Sequence, residues 1–423
     1  MNKLNTLLFL FLSLILCSFK NAQIIKIDFE LIIDSICIYT QPNPRALTPF
    51  TVDLETPYTK ITKESSKNFE NEQRKTIGEL TFKLNNFPKY SEIRATEYSD
   101  ALKFYTEGDE MITIENFHYV VMDNFHTTER SEMLTLAFGA GIDKNTEDMS
   151  LVHQLKKAKQ ISKMQFSIYK KMMTEEGTLY VGGIPPSIVE GLKNTSLSIT
   201  GNKGFWDADI NYLFIGNISE NDTDSNIYFK NQYPAHFTMA TRYIEIPTEA
   251  YEFILNNYIK DLLDKKECKM NDYGSKDILC NCSSIHELKN LEFIINKKVF
   301  LFEPDDLFVT FDQLCVFSVC KNIEAEEYLL GIEFIWKYVT VFDYDNKGIT
   351  FYFQDEFTEL NFEKLFSQSV LPFSVGLFLF IIAFLFLAWV VYKYCKRRKR
   401  MKKMSLSILD SIDDYKLVGS EIK

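Results

Sequence analysis

The feature that most restricts this chain is an uninterrupted apolar run near its C-terminus, Val370 to Tyr392 (VLPFSVGLFLFIIAFLFLAWVVY), 23 residues without a charge. A helix rises 1.5 Å per residue and the hydrocarbon core of a bilayer is about 30 Å thick, so about 20 apolar residues cross it. The run therefore predicts one transmembrane helix at 370–392. Trp389, Tyr392 and Tyr394 stand where an aromatic belt belongs, and eight Lys and Arg residues follow between Lys393 and Lys403. Basic flanks stay on the cytoplasmic side. Residues 393–423 are thus expected to form a basic cytosolic tail and the bulk of the chain to lie across the membrane from it, as a single-pass type I protein of the secretory pathway, in a vacuole or lysosome or at the cell surface.

The N-terminus agrees. Lys3 precedes an apolar stretch, Leu7 to Cys17, that is too short to span a bilayer but has the length of a signal-peptide core, so residues 1–22 are expected to be removed, with Ala22 at the cut. Between the two ends lie residues 23–369. A chain that is 46% hydrophobic and 14% aromatic has material for one large or two medium cores. The formal charge is −11, and because residues 1–22 and 370–423 are both net basic, the central region is more acidic still. Such a surface excludes nucleic acid as a partner. Four N-x-S/T sequons, at Asn194, Asn217, Asn221 and Asn281, all fall in this region and are glycosylation candidates.

Six cysteines also fall there: Cys37, Cys268, Cys280, Cys282, Cys315 and Cys320. Outside the cytoplasm they read as disulfide candidates, with connectivity open because six cysteines allow 15 pairings. Zinc is a poor alternative. Cys280-Asn-Cys282 lacks the usual two-residue spacer and His286 is the only histidine nearby, so neither a metal nor another cofactor is expected.

Short β-branched and aromatic runs separated by turn residues recur throughout, among them Phe29–Ile33, Glu79–Lys83, Met111–Ile114, His118–Val121, Thr178–Val181, Ile210–Ile215, Cys315–Val319 and Ile349–Phe353. Helical periodicity is confined to Asp148–Lys159 and to Thr248–Leu263, the latter with Thr248 as N-cap after Pro247. The region reads as mostly β with few helices.

Asp148 to Ile184 runs from a helix through QISKMQFSIYKK to GTLYVGGIP, with Phe166, Ser167, Tyr169, Gly177, Leu179, Gly182 and Gly183 in a fixed order. FWDADINYLFIG (205–216) and YLLGIEFIWKYVTVFDYDNKGITF (328–351) follow, the last carrying Leu330, Gly331, Phe334, Tyr338, Val341, Phe342 and Asp343. This succession resembles the pepsin-like aspartic proteases. The resemblance implies a mostly β, two-lobed fold, with an N-terminal lobe at 23–190, a C-terminal lobe at 191–362 and a cleft between them.

It also implies a chemistry. Family members hydrolyse peptide bonds with two Asp carboxylates, one per lobe, that share a proton because like charges so close cannot both ionise. Each sits in an Asp-Thr/Ser-Gly turn, and neither Asp-Thr-Gly nor Asp-Ser-Gly occurs in this sequence. In the first lobe FELIIDSI (29–36) resembles F-x-φ-φ-φ-D-T-G, which puts Asp34 in the Asp position and Ile36 in place of Gly. In the second, PAHFTMATRYIEIPTEAYEFI (234–254) resembles A-x-φ-D-T-G-T-x-x-φ-x-φ-P-x-x-x-Y, with Thr238, Met239 and Ala240 in place of Asp, hydroxyl and Gly. A Thr hydroxyl does not titrate between acid and neutral pH and cannot replace a carboxylate in proton transfer. A shifted alignment would instead recruit Asp222, Asp224 or Glu245. Tyr98, within EYSDALKFYTEGDE, takes the place of the flap tyrosine.

Two functions follow. Either the cleft of a noncatalytic homologue binds a peptide or protein, or the chain is a membrane-bound aspartic endopeptidase with a nonstandard site. In the tail, Tyr415-Lys416-Leu417-Val418 has the Y-x-x-φ form that a cytosolic sorting adaptor recognises through Tyr415 and Val418.

Overall fold

Period-two burial explains why so much of this chain is extended: Ile25, Ile27 and Phe29 are buried, while Lys26 is half-buried and Asp28 and Glu30 are exposed. In the computed structural model the described residues are 24–32, 35–43, 46–54, 58–62, 66, 74–82, 93–106, 111–122, 134–139, 149–170, 176–199, 206–216, 227–231, 233–270, 278–311, 314–323, 326–353, 389, 392, 393 and 396. Two units separate at Thr358/Glu359.

In the larger unit the first lobe contributes β1 (Ile25–Ile32), β2 (Ser35–Asn43), β3 (Ala46–Asp53), β4 (Lys60–Thr62), β5 (Lys75–Phe82), β6 (Ile93–Tyr105), β7 (Met111–Met122), β8 (Leu134–Ala137), β9 (Gln165–Lys170) and β10 (Glu176–Val181). The second contributes β11 (Lys193–Ser198), β12 (Asp207–Ile215), β13 (Ile227–Lys230), β14 (Pro234–Phe237), β15 (Ile244–Ile246), β16 (Cys268–Met270), β17 (Ile278–Asn281), β18 (Leu291–Ile295), β19 (Lys298–Phe302), β20 (Phe308–Phe311), β21 (Leu314–Phe317), β22 (Val319–Lys321), β23 (Tyr328–Leu330), β24 (Val339–Asp343) and β25 (Gly348–Phe353). The fold is mostly β and two-lobed, with few helices.

Six antiparallel strands in the order β11-β25-β24-β9-β10-β1 form a platform under both lobes. Its inner face carries an aromatic seam: the rings of Phe166 and Phe342 stack at 4.6 Å, and Trp206 lies 5.1 Å from Phe342 and 4.9 Å from Tyr344. Trp206 Nε1 and the Tyr344 hydroxyl both donate to the carbonyl of Phe138, at 2.8 and 2.7 Å, tying the strand end after β8 to the second lobe. Burial raises the Tyr344 phenol well above its usual range, against a smaller lowering from Ser150.

The expected helix at 148–159 is shorter, Leu151–Lys157, because Ser150 caps it by accepting the His153 N–H. At 248–263 the backbone is α from Thr248 to Ile254, widens to a π-turn over Leu255–Ile259 and returns to α through Asp264. Thr248 is not the N-cap there. Pro247 holds that position with no side-chain cap, as suits a residue with no N–H to satisfy. The two runs at 111–114 and 118–121 are one strand, β7.

Disulfides join Cys268 to Cys280 and Cys282 to Cys315, stapling the sheet β16-β17-β21-β20. Cys37, buried on β2, and Cys320, half-buried on β22, belong to neither bridge, which corrects their reading as disulfide candidates. Their strands lie apart from that sheet.

In the smaller unit Trp389, Tyr392, Lys393 and Lys396 are helical, with the Lys393 ammonium 4.2 Å from the Trp389 ring centroid. Among the described residues no helix is long and apolar enough to cross a membrane. The rest of 370–392, the segment 1–22, Asn217, Asn221, Tyr415 and Val418 lie outside the described residues.

Candidate functional site

Thr238 follows β14 directly. β14 runs parallel to β23, β23 antiparallel to β15, and β15 parallel to β22, so the chain leaves β14, turns, and returns as β15 with β23 threaded between the two. The turn is fixed from below by Gly331. A Cβ there would lie 2.1 Å from the Tyr243 carbonyl oxygen and 2.6 Å from that of Thr241, contacts no side chain tolerates. The close approach lets Ile332 N–H reach Thr241 O (3.1 Å) and Glu333 N–H reach Arg242 O (3.0 Å), and the Arg242 Nε to Glu333 Oε1 ion pair (2.6 Å) clamps the same junction.

At the tip, Thr238 is fully buried. Its N–H donates to Leu330 O (3.1 Å) and its Oγ1 accepts from the Ala240 N–H (3.0 Å). The side-chain oxygen therefore takes a local turn bond of the kind Ser, Thr, Asn and Asp all make. Met239, in the place of a second hydroxyl, is buried and apolar. On β23, opposite Ala235, Tyr328 is buried and its phenol is raised by desolvation first and then by Tyr233. Residues 238–243 of this turn include no carboxylate.

The first lobe repeats the pattern. β3 runs parallel to β8, β8 antiparallel to β4, and β4 parallel to β7. β3 thus corresponds to β14, and the turn between β3 and β4 to the turn that holds Thr238. Phe237 pairs with Leu330 and Thr238 is the next residue, just as Gly331 is; on β3, Asp53 pairs with Ala137, and two further steps reach Glu55 beside Gly139 in the sequence. Glu55 lies outside the described residues. An Asp53–Lys60 ion pair (2.7 Å) and a bond from Ala137 N–H to Thr59 Oγ1 (3.1 Å) close the base of that turn.

Asp34 lies outside the described residues, between Ile32 and Ser35, which pair across β1 and β2; among the described residues these two strands pair only antiparallel. The signal that points to Glu55 is PFTVDLETP (49–57), which fits F-x-φ-φ-φ-D-T-G at Phe50, Val52, Leu54 and Thr56 with Glu for Asp and Pro for Gly. Asp53 hides it by occupying an apolar position, and its charge is accounted for by Lys60.

Tyr98 is not at a hairpin tip. It sits mid-strand on β6, paired with Thr76 and Tyr119, stacked 6.0 Å from Tyr119 and covered by the Arg74 guanidinium at 3.7 Å. Glu245 lies on β15 opposite Leu329, away from the Thr238 turn; Asp222 and Asp224 are outside the described residues. Two sequon asparagines, Asn194 on β11 and Asn281 on β17, are described and exposed. A concavity of about 300 Å³ borders Gln165, Gly183, Val341, Asp343, Thr350 and Tyr352, on the face of the platform opposite the aromatic seam.

A sequence profile described as Eukaryotic aspartyl protease matches residues 98–352, more than half of the chain. The chain belongs to that family. The fold of this aspartyl protease homologue is similar to basic 7S globulin from soybean (TM-score 0.61, 14% identity, covering 78% of this chain and 95% of the globulin). It is also similar to conglutin gamma, a basic 7S globulin from lupine seeds (0.62, 12%, 79% and 96%), and to an aspartic proteinase from Irpex lacteus (0.58, 13%, 80% and 99%). The aspartyl protease homologue thus has a pepsin-like fold, with Thr238 buried at the tip of the turn between β14 and β15.

Proposed function

We propose that this chain is a membrane-anchored pepsin-like protein that does not cleave peptide bonds and whose inter-lobe cleft binds an extended peptide or protein segment. Thr238 carries the reading. The shared-proton mechanism needs a carboxylate from each lobe, and Thr238 offers an oxygen that neither titrates nor is exposed. Glu55 in the first lobe leaves one carboxylate at most, and a lone carboxylate has no partner with which to share the proton on which that mechanism depends. That two of the similar structures are named globulins and one a proteinase agrees with a fold that is not tied to one activity. The apolar run 370–392 supplies the anchor, and Tyr415 to Val418 the contact for a sorting adaptor.

The test is cleavage of a mixed peptide library by secreted residues 23–369 from pH 3 to 7, read by mass spectrometry, with Glu55→Gln and Asp34→Ala in parallel. The parent should cleave nothing at any pH. Cleavage that vanishes in Glu55→Gln would establish an acid endopeptidase and end the noncatalytic reading. Cleavage that vanishes in Asp34→Ala would do the same and return the site to the first hairpin.

A further inference from the structure

The platform concavity lies one strand from a sequon. Asn194 of β11 pairs directly with Tyr352 of β25, and Ser196, the sequon's hydroxyl residue, pairs with Thr350, their side-chain oxygens 2.8 Å apart. Directly paired residues project from the same face of a sheet. Tyr352 and Thr350 line the concavity, which continues over Val341 and Asp343 of β24 to Gln165 of β9. At about 4.8 Å per strand it begins roughly 5 Å from Asn194 and ends roughly 15 Å away.

The lining does not suit a simple ion. Asp343 is held within the protein, accepting from Gln165 Nε2 (2.5 Å), Asn346 N–H (2.9 Å) and Asn346 Nδ2 (2.8 Å), so three of its lone pairs are engaged and it forms a shaped polar floor. Around it stand an ammonium (Lys163), an amide (Gln165) and two hydroxyls (Thr350, Tyr352), the second carried on a half-buried aromatic ring. Mixed donors and acceptors beside an aromatic face match a neutral, hydroxyl-rich ring. Asn194 itself is exposed on β11, the outermost strand of the platform. Asn281, by contrast, is engaged, accepting from Ser283 N–H (3.3 Å) and Ser283 Oγ (3.1 Å), between two disulfide-bonded cysteines.

We propose that Asn194 carries an N-linked glycan whose first sugars fold back across Tyr352 into this concavity. The proposal rests on residues 23–369 being lumenal, as the proposed function has it. To test it, the full-length chain is expressed in a glycosylating eukaryotic cell and purified in mild detergent. Occupancy at residue 194 is read by peptide mass spectrometry, and the rate of glycan release by an amidase is measured on native protein. Protease protection of terminal epitopes in sealed microsomes reads topology separately.

Asn194 should be occupied, and its glycan should be released at least tenfold faster from Tyr352→Ala than from the parent. Independently of how that variant folds, Asn194→Gln should raise acylation of Lys163 by an amine-reactive reagent at least threefold. Bare Asn194 in a chain whose N-terminal region is protected overturns the glycan proposal and leaves the topology standing. Equal release rates, or unchanged Lys163 labelling, overturn its place in the concavity. An unprotected N-terminal region overturns both readings together.

Discussion

Gly331→Ala places one methyl group in the most crowded junction of the second lobe. The added Cβ would stand 2.1 Å from Tyr243 O and 2.6 Å from Thr241 O, both backbone atoms that no rotamer change can move. The backbone dihedrals at Gly331, φ −76° and ψ −165°, are open to any residue, so the cost is one of space alone. Relieving the overlap means parting the helix Ile332–Lys337 from the Thr241–Tyr243 turn, which overpacks the site at about 1–3 kcal/mol. It also breaks the Ile332 to Thr241 bond, at about 1 kcal/mol. The expected loss is about 2–4 kcal/mol.

Gly78→Ala is the control. Nothing lies within 4 Å of a Cβ there, so the same change should be neutral or stabilise by up to about 1 kcal/mol through the unfolded state. Urea unfolding of residues 23–369 measures both, followed by tryptophan fluorescence, since Trp336 lies on the displaced helix. A Gly331→Ala midpoint within about 0.5 kcal/mol of the parent at unchanged m-value would refute the close-packed turn.

Replacing Cys282 and Cys315 by Ser should cost about 3–4 kcal/mol, and the Cys268/Cys280 pair about 3, because the bridges close loops of 33 and 12 residues; thermal midpoints of the two double variants give the order. Burial raises the phenols of Tyr258, Tyr328, Tyr338 and Tyr344 above their ordinary 10.0. The unfolded chain therefore loses these protons first, and stability, complete below pH 10, should fall as pH climbs beyond it, by up to about 1.4 kcal/mol per pH unit for each such tyrosine. Absorbance at the tyrosinate band would show it, and a flat stability from pH 10 to 12 would contradict it. Arg242→Met, which leaves the nearly buried Glu333 carboxylate without its guanidinium, should cost about 3 kcal/mol, whereas Arg242→Met with Glu333→Leu should cost less, as a double-mutant cycle in urea would show.

The second lobe was legible because its signals are local. Ala235, Thr241, Ile244, Ile246, Pro247 and Tyr251 hold their spacing within one strand-turn-strand-helix stretch, and Gly331 with Phe334 completes it. The first lobe was legible in its platform strands β9 and β10 but not in its site. Its β3 to β8 pairing joins residues more than 80 apart, which no periodicity records, and Asp34 offered a literal carboxylate in a hairpin that resembles the right strand. Asp53 then disguised β3 as a polar segment, because a partly buried charge is intelligible only once Lys60 is beside it. Tyr98 misled for a similar reason: aromatic residues mark strands and flap tips alike, and only the ladder with Tyr119 separates them. The shared face of Asn194 and Tyr352 was invisible in sequence, since the two residues meet only through the platform.

That platform also sets a timetable. β9 ends at Lys170, but its neighbour β24 begins at Val339, so a ribosome must add about 170 more residues before the edge of β9 is covered. At 5–20 residues per second this takes roughly 10–30 s, during which an unpaired edge is open to any other nascent chain. The two lobes are therefore not separable modules. A chain stopped at residue 190 would keep β9 uncovered indefinitely, and the stretch from Val339 to Phe353 acts as the clasp that the earlier half must wait for.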